Sequence, residues 1–332
     1  MRIGKSSIQF TKAFCHDSGI VVGPKEKSGP LSKYFDIAIN DLHYNEKSWE
    51  KAEMKMLDFS IKKCLEKNMI NENKVDLFIH GDLNNQLVIG NYCLRNHDIS
   101  TLGVFSACSS FTEGLLVAGQ FLEGKTFDNI LVGVSSHNAS AEKQFRYPLE
   151  YGGQKPECTT YTVTAATTVL VSSNPSSISI AKATIGKIED NKLKDCNDMG
   201  RAMAIAAYST FKQHFQDFNI DYSYYDLILT GDLSLYGKRL FEKYLLEDGI
   251  VLNNYNDSGL MVYDTHDKTV FAGGSGCGCI SAVTTGFIFD KLKKKELKKV
   301  LILATGALLN PIMIAQKETI PSVCHAISLE VE

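Results

Sequence analysis

The sequence predicts an α/β protein built from two duplicated halves, with sheets packed between layers of helix. An internal echo is the first reason. Asp76-Leu77-Phe78-Ile79-His80-Gly81-Asp82-Leu83 recurs as Asp226-Leu227-Ile228-Leu229-Thr230-Gly231-Asp232-Leu233. Val104-Phe105, leading into a small-residue turn and an apolar helix, recurs as Val270-Phe271, and Asn129-Ile130-Leu131-Val132-Gly133 is matched by Val300-Leu301-Ile302-Leu303-Ala304. Three echoes in one order mark a repeated unit. Periodicity is the second reason: short bounded apolar runs, VDLFIHG and YDLILTG, alternate with segments of helical spacing. Such runs are buried on both faces of a sheet, and the intervening helices supply the cover.

Residues 47–68 set Met54, Leu57, Ile61 and Leu65 on one helical face, ahead of the first echoed strand. An apolar strand ending at Val104-Phe105 then turns into a helix over 109–123, with Leu115, Ala118 and Leu122 aligned. The strand at 129–133 follows. The polar stretch Ser172–Ser177 breaks both patterns, which divides the chain into halves of residues 1–175 and 176–332. The second half is expected to supply helices over 198–218, 236–247 and 281–294.

At 332 residues and 44% apolar content the chain can bury a sizeable core, so wholesale disorder is excluded. A net charge of -3 argues against nucleic acid as a partner. The nine cysteines include no CxxC pair and the closest spacing is Cys277-Gly-Cys279, which fits reduced thiols rather than a disulfide framework or a zinc ribbon. MRIGKSSIQF has no signal-peptide apolar core, and no apolar run is long enough to span a bilayer. The lysine-rich run 291–299 reads as a solvated helix end rather than a membrane-binding patch.

The chemistry concentrates at Phe105-Ser106-Ala107-Cys108-Ser109-Ser110. Small residues permit a sharp turn that leaves the Cys108 sulfur at a helix N-terminus, where a thiolate or a bound anion is favoured. A buried, inert cysteine is the competing reading.

A cysteine on a strand-to-helix turn in the first of two duplicated halves resembles the thiolase fold of thiolases and ketoacyl synthases. The glycine-rich segment Ala272–Cys279 sits where those enzymes carry a second-half loop. More closely, the chain resembles the stage V sporulation protein AD family along nearly its whole length. That resemblance rests on GPKEK (23–27), HGDLNNQ (80–86), SSHNASAEKQFRYPLEYGGQKP (135–156), LILTGDLS (227–234), FAGGSGCGC (271–279) and ATGALLNP (304–311). It implies a five-layer α-β-α-β-α fold, a homodimer formed through the first half, and a role in binding dipicolinic acid for uptake into the developing spore. Membrane subunits of the same transport system would be the partners, with peripheral association at the spore inner membrane. It implies no cofactor beyond calcium carried with the ligand.

Enzymes of the thiolase fold pair their cysteine with a second-half histidine and a further Asn, His or Cys. Here the corresponding strand end reads Thr230-Gly231-Asp232-Leu233-Ser234, without histidine, and the glycine loop offers Cys277 and Cys279. Non-catalytic binding is therefore expected, and a Cys108-dependent acyltransferase, with His80, His137 or His325 as base, is the alternative. A dicarboxylate needs a helix N-terminus, an Arg fork and an aromatic or apolar face. Cys108, Ser109, His137, Asn138, Arg146, Asp232, Asp257, Ser275 and Cys277 are the expected ligand-site residues, with Tyr151, Gly152, Gly153, Gln154 and Lys155 extending the Arg146 loop. Both duplicated turns are expected to aim helix N-termini into one cleft. Asp82 and Asp232, at duplicate positions, are expected to cap the helices that follow them.

Overall fold

Each half folds into five strands laid out in the same spatial order. The computed structural model describes residues 1–146 and 153–332. The first half holds β1 (Phe14–Val22), β2 (Leu77–Asp82), β3 (Thr101–Gly103), β4 (Asn129–Ser136) and β5 (Ala165–Ser172). The second holds β6 (Ile178–Thr184), β7 (Leu227–Thr230), β8 (Tyr255–Asp257), β9 (Lys299–Ala307) and β10 (Ser322–Glu330). Their orders are β1-β5-β4-β2-β3 and β6-β10-β9-β7-β8. In each half the last strand runs antiparallel to both neighbours, and the remaining pairs are parallel.

The sheets meet edge to edge where Ile178 faces Cys15 and Ser179 faces Phe14, and Ser7–Gln9 continues the pairing along β6. Hydrogen bonding therefore runs through both halves, yet the mirrored strand orders are those of a duplication, not of one parallel sheet. Residues 173–177 carry the chain from β5 into β6.

Helices complete five layers. Ser48 caps α1 (Trp49–Asn68), which covers the outer face of the first sheet over β1, β4 and β5. A short α2 (Val88–Leu94) flanks it. The outer face of the second sheet is covered by α5 (Met199–Phe218), with α6 (Ser234–Glu247) packed alongside. Both long outer helices end on a left-handed residue, Met69 at φ 52° and Asn219 at φ 50°, so the duplication extends to their C-caps. Between the sheets lies α3 (Ser110–Glu123), which touches β2, β4 and β5 on one side and β9 and β10 on the other. Beside it lies α7 (Cys277–Ala282), which runs on through a π-helical stretch at Val283–Ile288 to Lys293. Finally, α4 (Asn138–Phe145) follows β4.

Two expectations are corrected. The last helix begins at Cys277 rather than 281, because the small residues after Gly276 enter helix directly. Val104-Phe105 does not close an apolar strand: β3 stops at Gly103 and is exposed throughout. It is an edge strand paired with β2, so its free side faces solvent, and Phe105 is 47% exposed. Its second-half counterpart is β8, while Val270-Phe271 closes a 3-10 turn. The second echo therefore records the turn before each central helix, not the strand.

Gly306 shows how closely the halves approach. A Cβ there would lie 2.0 Å from the Ser106 carbonyl oxygen and 3.2 Å from the Ser109 nitrogen, so the Cys108 turn rests on bare backbone of β9. Gly306→Ala should destabilise the fold by about 1–3 kcal/mol, the usual cost of overpacking. Urea denaturation checks this, and an unchanged midpoint would show that the turn can yield.

Candidate functional site

The chain leaves β3 through Ser106 and reverses at Ala107, whose φ of +52° is unfavourable for a residue with a Cβ. A 3-10 turn over Ala107–Ser109 then enters α3. Side chains hold this strained geometry. Ser110 Oγ donates to the Ala107 carbonyl (2.8 Å) and accepts from the Ser106 amide (3.1 Å). Ser109 Oγ donates to the Ala304 carbonyl (2.8 Å) on β9 and accepts from the His325 amide (3.2 Å) on β10. Ser109 is thus a tie between halves.

Cys108 is buried, and the Asp232 carboxyl lies close enough to act on its thiol. Burial first, and then the charge of Asp232, hold the thiol well above its ordinary range; the Gly276 amide pulls weakly the other way. Asp232 accepts from the Gly276 amide (3.0 Å) and the Thr305 hydroxyl (2.7 Å). Burial dominates there too and pushes its pKa up to about 7, against those hydrogen bonds.

A small pocket of about 40 Å³ opens beside Cys108. Leu83, Phe105, Phe145, Met199 and Leu309 give it apolar walls, while Thr162, Ser275, Glu142 and Arg146 bring polar groups. Thr162 and Ser275 stand opposite each other on a short parallel ribbon, Tyr161–Thr162 against Gly274–Ser275. Arg146 ion-pairs with Glu142 and donates to the Thr160 carbonyl (3.1 Å); Lys155 reaches the other Glu142 oxygen at 2.8 Å. A wider groove lined by Asn85, Gln86, Leu308, Asn310 and Pro311 adjoins the pocket through Phe105, Phe145 and Leu309.

Of the expected residues, Cys108, Arg146 and Ser275 line the pocket, and Asp232 lies against Cys108. The others do not line it. Ser109 ties the halves, as above. His137 caps α4 through the Ser140 amide and bonds the Leu42 carbonyl at 2.8 Å. Asn138 receives its neighbours through backbone, its amide donating to Thr164 Oγ1 (3.0 Å). Cys277 donates to the Ser135 carbonyl. Tyr151 and Gly152 lie outside the described residues.

Asp257, not Asp232, caps the second-half turn: it accepts from the Leu233, Ser234 and Gly259 amides and from Thr230 Oγ1. Asp82 performs that duty in the first half, accepting from Asn84 (2.8 Å) and Gly90 (3.0 Å). The duplicated aspartates therefore part roles. β8 places Asp257 under the second turn, which releases Asp232 to reach the glycine loop.

The second helix N-terminus offers little to a ligand. Gly276 donates to Asp232, and Gly278 donates to Ser136 Oγ at 3.2 Å. Only the first turn faces the pocket, so the expected pair of converging helix N-termini is corrected to one. None of the three histidines considered as bases lines the pocket. His80 is pressed by Gly90 and Gly103, and His325 accepts from the Gly186 amide at 3.2 Å. Burial lowers the pKa of each, like that of His137, to about 4. Lys293 and Lys294 are exposed, Lys291 is half-buried, and all three are ion-paired, as suits a solvated helix end.

Among the described residues no three His, Cys, Asp or Glu side chains converge as a metal centre, and no helix is long and apolar enough to cross a membrane. The residues missed in the sequence were chiefly apolar walls. Leu83 and Leu309 stand inside HGDLNNQ and ATGALLNP, yet nothing local marks a leucine as a pocket wall.

Because the folded-state pKa of Asp232 is raised, the native state binds more protons than the unfolded chain between about pH 4 and 7. Its contribution is fully present below the unfolded value and is lost as pH rises through about 7. Asp232→Asn should flatten the fall in stability over that window, read by denaturation at several pH values. An unaltered slope would show that Asp232 ionises normally in the fold.

A family model for stage V sporulation protein AD matches residues 4–330. Stage V sporulation protein AD of Bacillus subtilis (strain 168) is 47% identical over 318 residues, covering 96% of this chain and 94% of that protein. Among solved structures, 3-oxoacyl-[acyl-carrier-protein] synthase III of Aquifex aeolicus VF5 superposes with a TM-score of 0.55 at 12% identity, covering 96% of this chain and 99% of that one. Cerulenin-bound OleA of Xanthomonas campestris superposes with a TM-score of 0.61 at 12% identity, covering 97% and 98%. Those two likenesses establish a thiolase-like fold.

Proposed function

The chain belongs to the stage V sporulation protein AD family, and from that premise we propose that it binds dipicolinic acid without catalysis, for uptake into the developing spore. The burial of Cys108 beside the Asp232 carboxyl carries this reading. Acyl transfer needs a thiolate and a base that sustains it. Here burial and an adjacent carboxyl both favour the neutral thiol, and no histidine lines the pocket. The cysteine survives as a small, close-packed pocket wall.

The pocket suits a flat diacid. Arg146, backed by Lys155, sets positive charge on one side, and the N-terminus of α3 stands on another. Phe145, Met199 and Leu309 provide apolar faces for a ring. Burial keeps Asp232 mostly protonated below about pH 7, which reduces its repulsion of an anion. Calcium, in this reading, arrives on the ligand. Homodimerisation would use β3, whose free edge carries Leu102 at 39% exposure and the neighbouring Phe105. Association with the spore inner membrane would run through membrane subunits of the transport system.

Calorimetry with dipicolinate, with and without calcium, tests the binding. Cys108→Ser should be mild, because a hydroxyl preserves shape. Cys108→Asp should weaken binding at least tenfold, by adding charge in a closed space. Incubation with acyl-CoA should leave Cys108 unmodified by mass spectrometry. An acyl adduct on Cys108 with turnover would establish the acyltransferase instead.

A further inference from the structure

Arg146 is a buried guanidinium with one edge engaged and the other almost idle. Its side chain is 3% exposed and that of Glu142 is 1% exposed. The Nη1 atom holds both firm contacts, to Glu142 Oε1 and to the Thr160 carbonyl at 3.1 Å. Nη2 reaches Thr160 Oγ1 at 3.5 Å and Met199 Sδ at 4.0 Å, both at the outer limit of hydrogen bonding. That Thr160 hydroxyl already donates to Ser275 Oγ at 2.8 Å. Nε is buried and has no partner among the described residues. Buried donors are usually satisfied, and this unpaired one belongs to a residue that lines the pocket.

The charges point the same way. Arg146 and Lys155 both bear on Glu142, two cations against one carboxylate among the described residues, beside a largely apolar pocket. We infer that the Nε–Nη2 edge of Arg146 is the receptor for one carboxylate of the ligand, which it grips through two parallel N–H bonds. Glu142 is a positioning residue: it fixes Nη1 and so sets the direction of the opposite edge. Lys155 holds Glu142 from its far oxygen. The inference rests on the reading that the pocket takes a small dicarboxylate, and it assigns this edge the discrimination between two carboxylates and one. Such a fork rejects a ligand lacking the second carboxylate, because the edge would stay unpaired.

Titration calorimetry with dipicolinate and with picolinate, its single-carboxylate analogue, tests the assignment. The wild-type protein should prefer dipicolinate by at least tenfold. Arg146→Lys keeps a cation for Glu142 but loses the fork, and should bring the preference close to one. Glu142→Gln adds net positive charge to the site, yet should weaken dipicolinate severalfold, because the guanidinium is no longer aimed. Tighter binding by Glu142→Gln would overturn the positioning role. A retained dipicolinate preference in Arg146→Lys would overturn the fork alone, whereas no dipicolinate binding by the wild-type protein would overturn the reading beneath it. In the unmutated protein, the Arg146 Nε–H nitrogen-proton resonance should shift as dipicolinate is added; an unmoved resonance at saturation also overturns the fork.

Discussion

The Ser109 hydroxyl joins a turn of the first half to two strands of the second, donating to the Ala304 carbonyl and accepting from the His325 amide. Around it the two halves touch at backbone distance, since Gly306 leaves room for the Ser106 carbonyl. A residue in the left-handed region, Ala107, persists because the turn is fixed from both sides. Everything in the pocket follows from this constraint. The N-terminus of α3, the thiol of Cys108 and the end of β9 at Ala307 are brought together only because the duplicated sheets clamp one central helical layer.

The same closeness governs the charges. Asp82, Asp232 and Asp257 each lie buried at a strand end and serve as acceptors for amides of the following turns or of the glycine loop. Glu53 joins the same region, accepting from Ser135 and Ser140, and burial with the Asp82 charge pushes it up to about 8. Acidic groups in these places organise backbone, and the low-dielectric surroundings favour their neutral forms. A cysteine set against such a carboxyl is a poor nucleophile for the same physical reason that the carboxyl is a poor acid.

Fold and chemistry thus separate. The fold is shared with 3-oxoacyl-[acyl-carrier-protein] synthase III and OleA at 12% identity, and here an aspartate lies beside the sulfur of Cys108. A fold can host more than one chemistry, because the side chains around a pocket decide what that pocket does. The buried Glu142–Arg146 ion pair lines the same pocket as Cys108.

The duplication was legible in the sequence, because β2 and β7, like β4 and β9, are buried apolar strands whose composition repeats when their environment repeats. The turn at Cys108 and the helix after it were legible too, since small residues and a helical stripe leave a local trace. Arg146 and Ser275 could be nominated from residue type and motif. What the sequence could not hold was which side chain meets which. Asp82 and Asp232 occupy equivalent positions, yet their partners differ because Asp257 arrives on a strand 25 residues further along. His137 resembles a base in sequence and is a helix cap in space, its ring turned to the Leu42 carbonyl. Leu83, Met199 and Leu309 come from distant segments, and an apolar wall has no signature until the chain folds around it. The sequence by itself determined the repeat, its strands and the cysteine turn, because those depend on local pattern; only the tertiary structure decided which carboxyl lies beside Cys108, because that depends on contacts between halves.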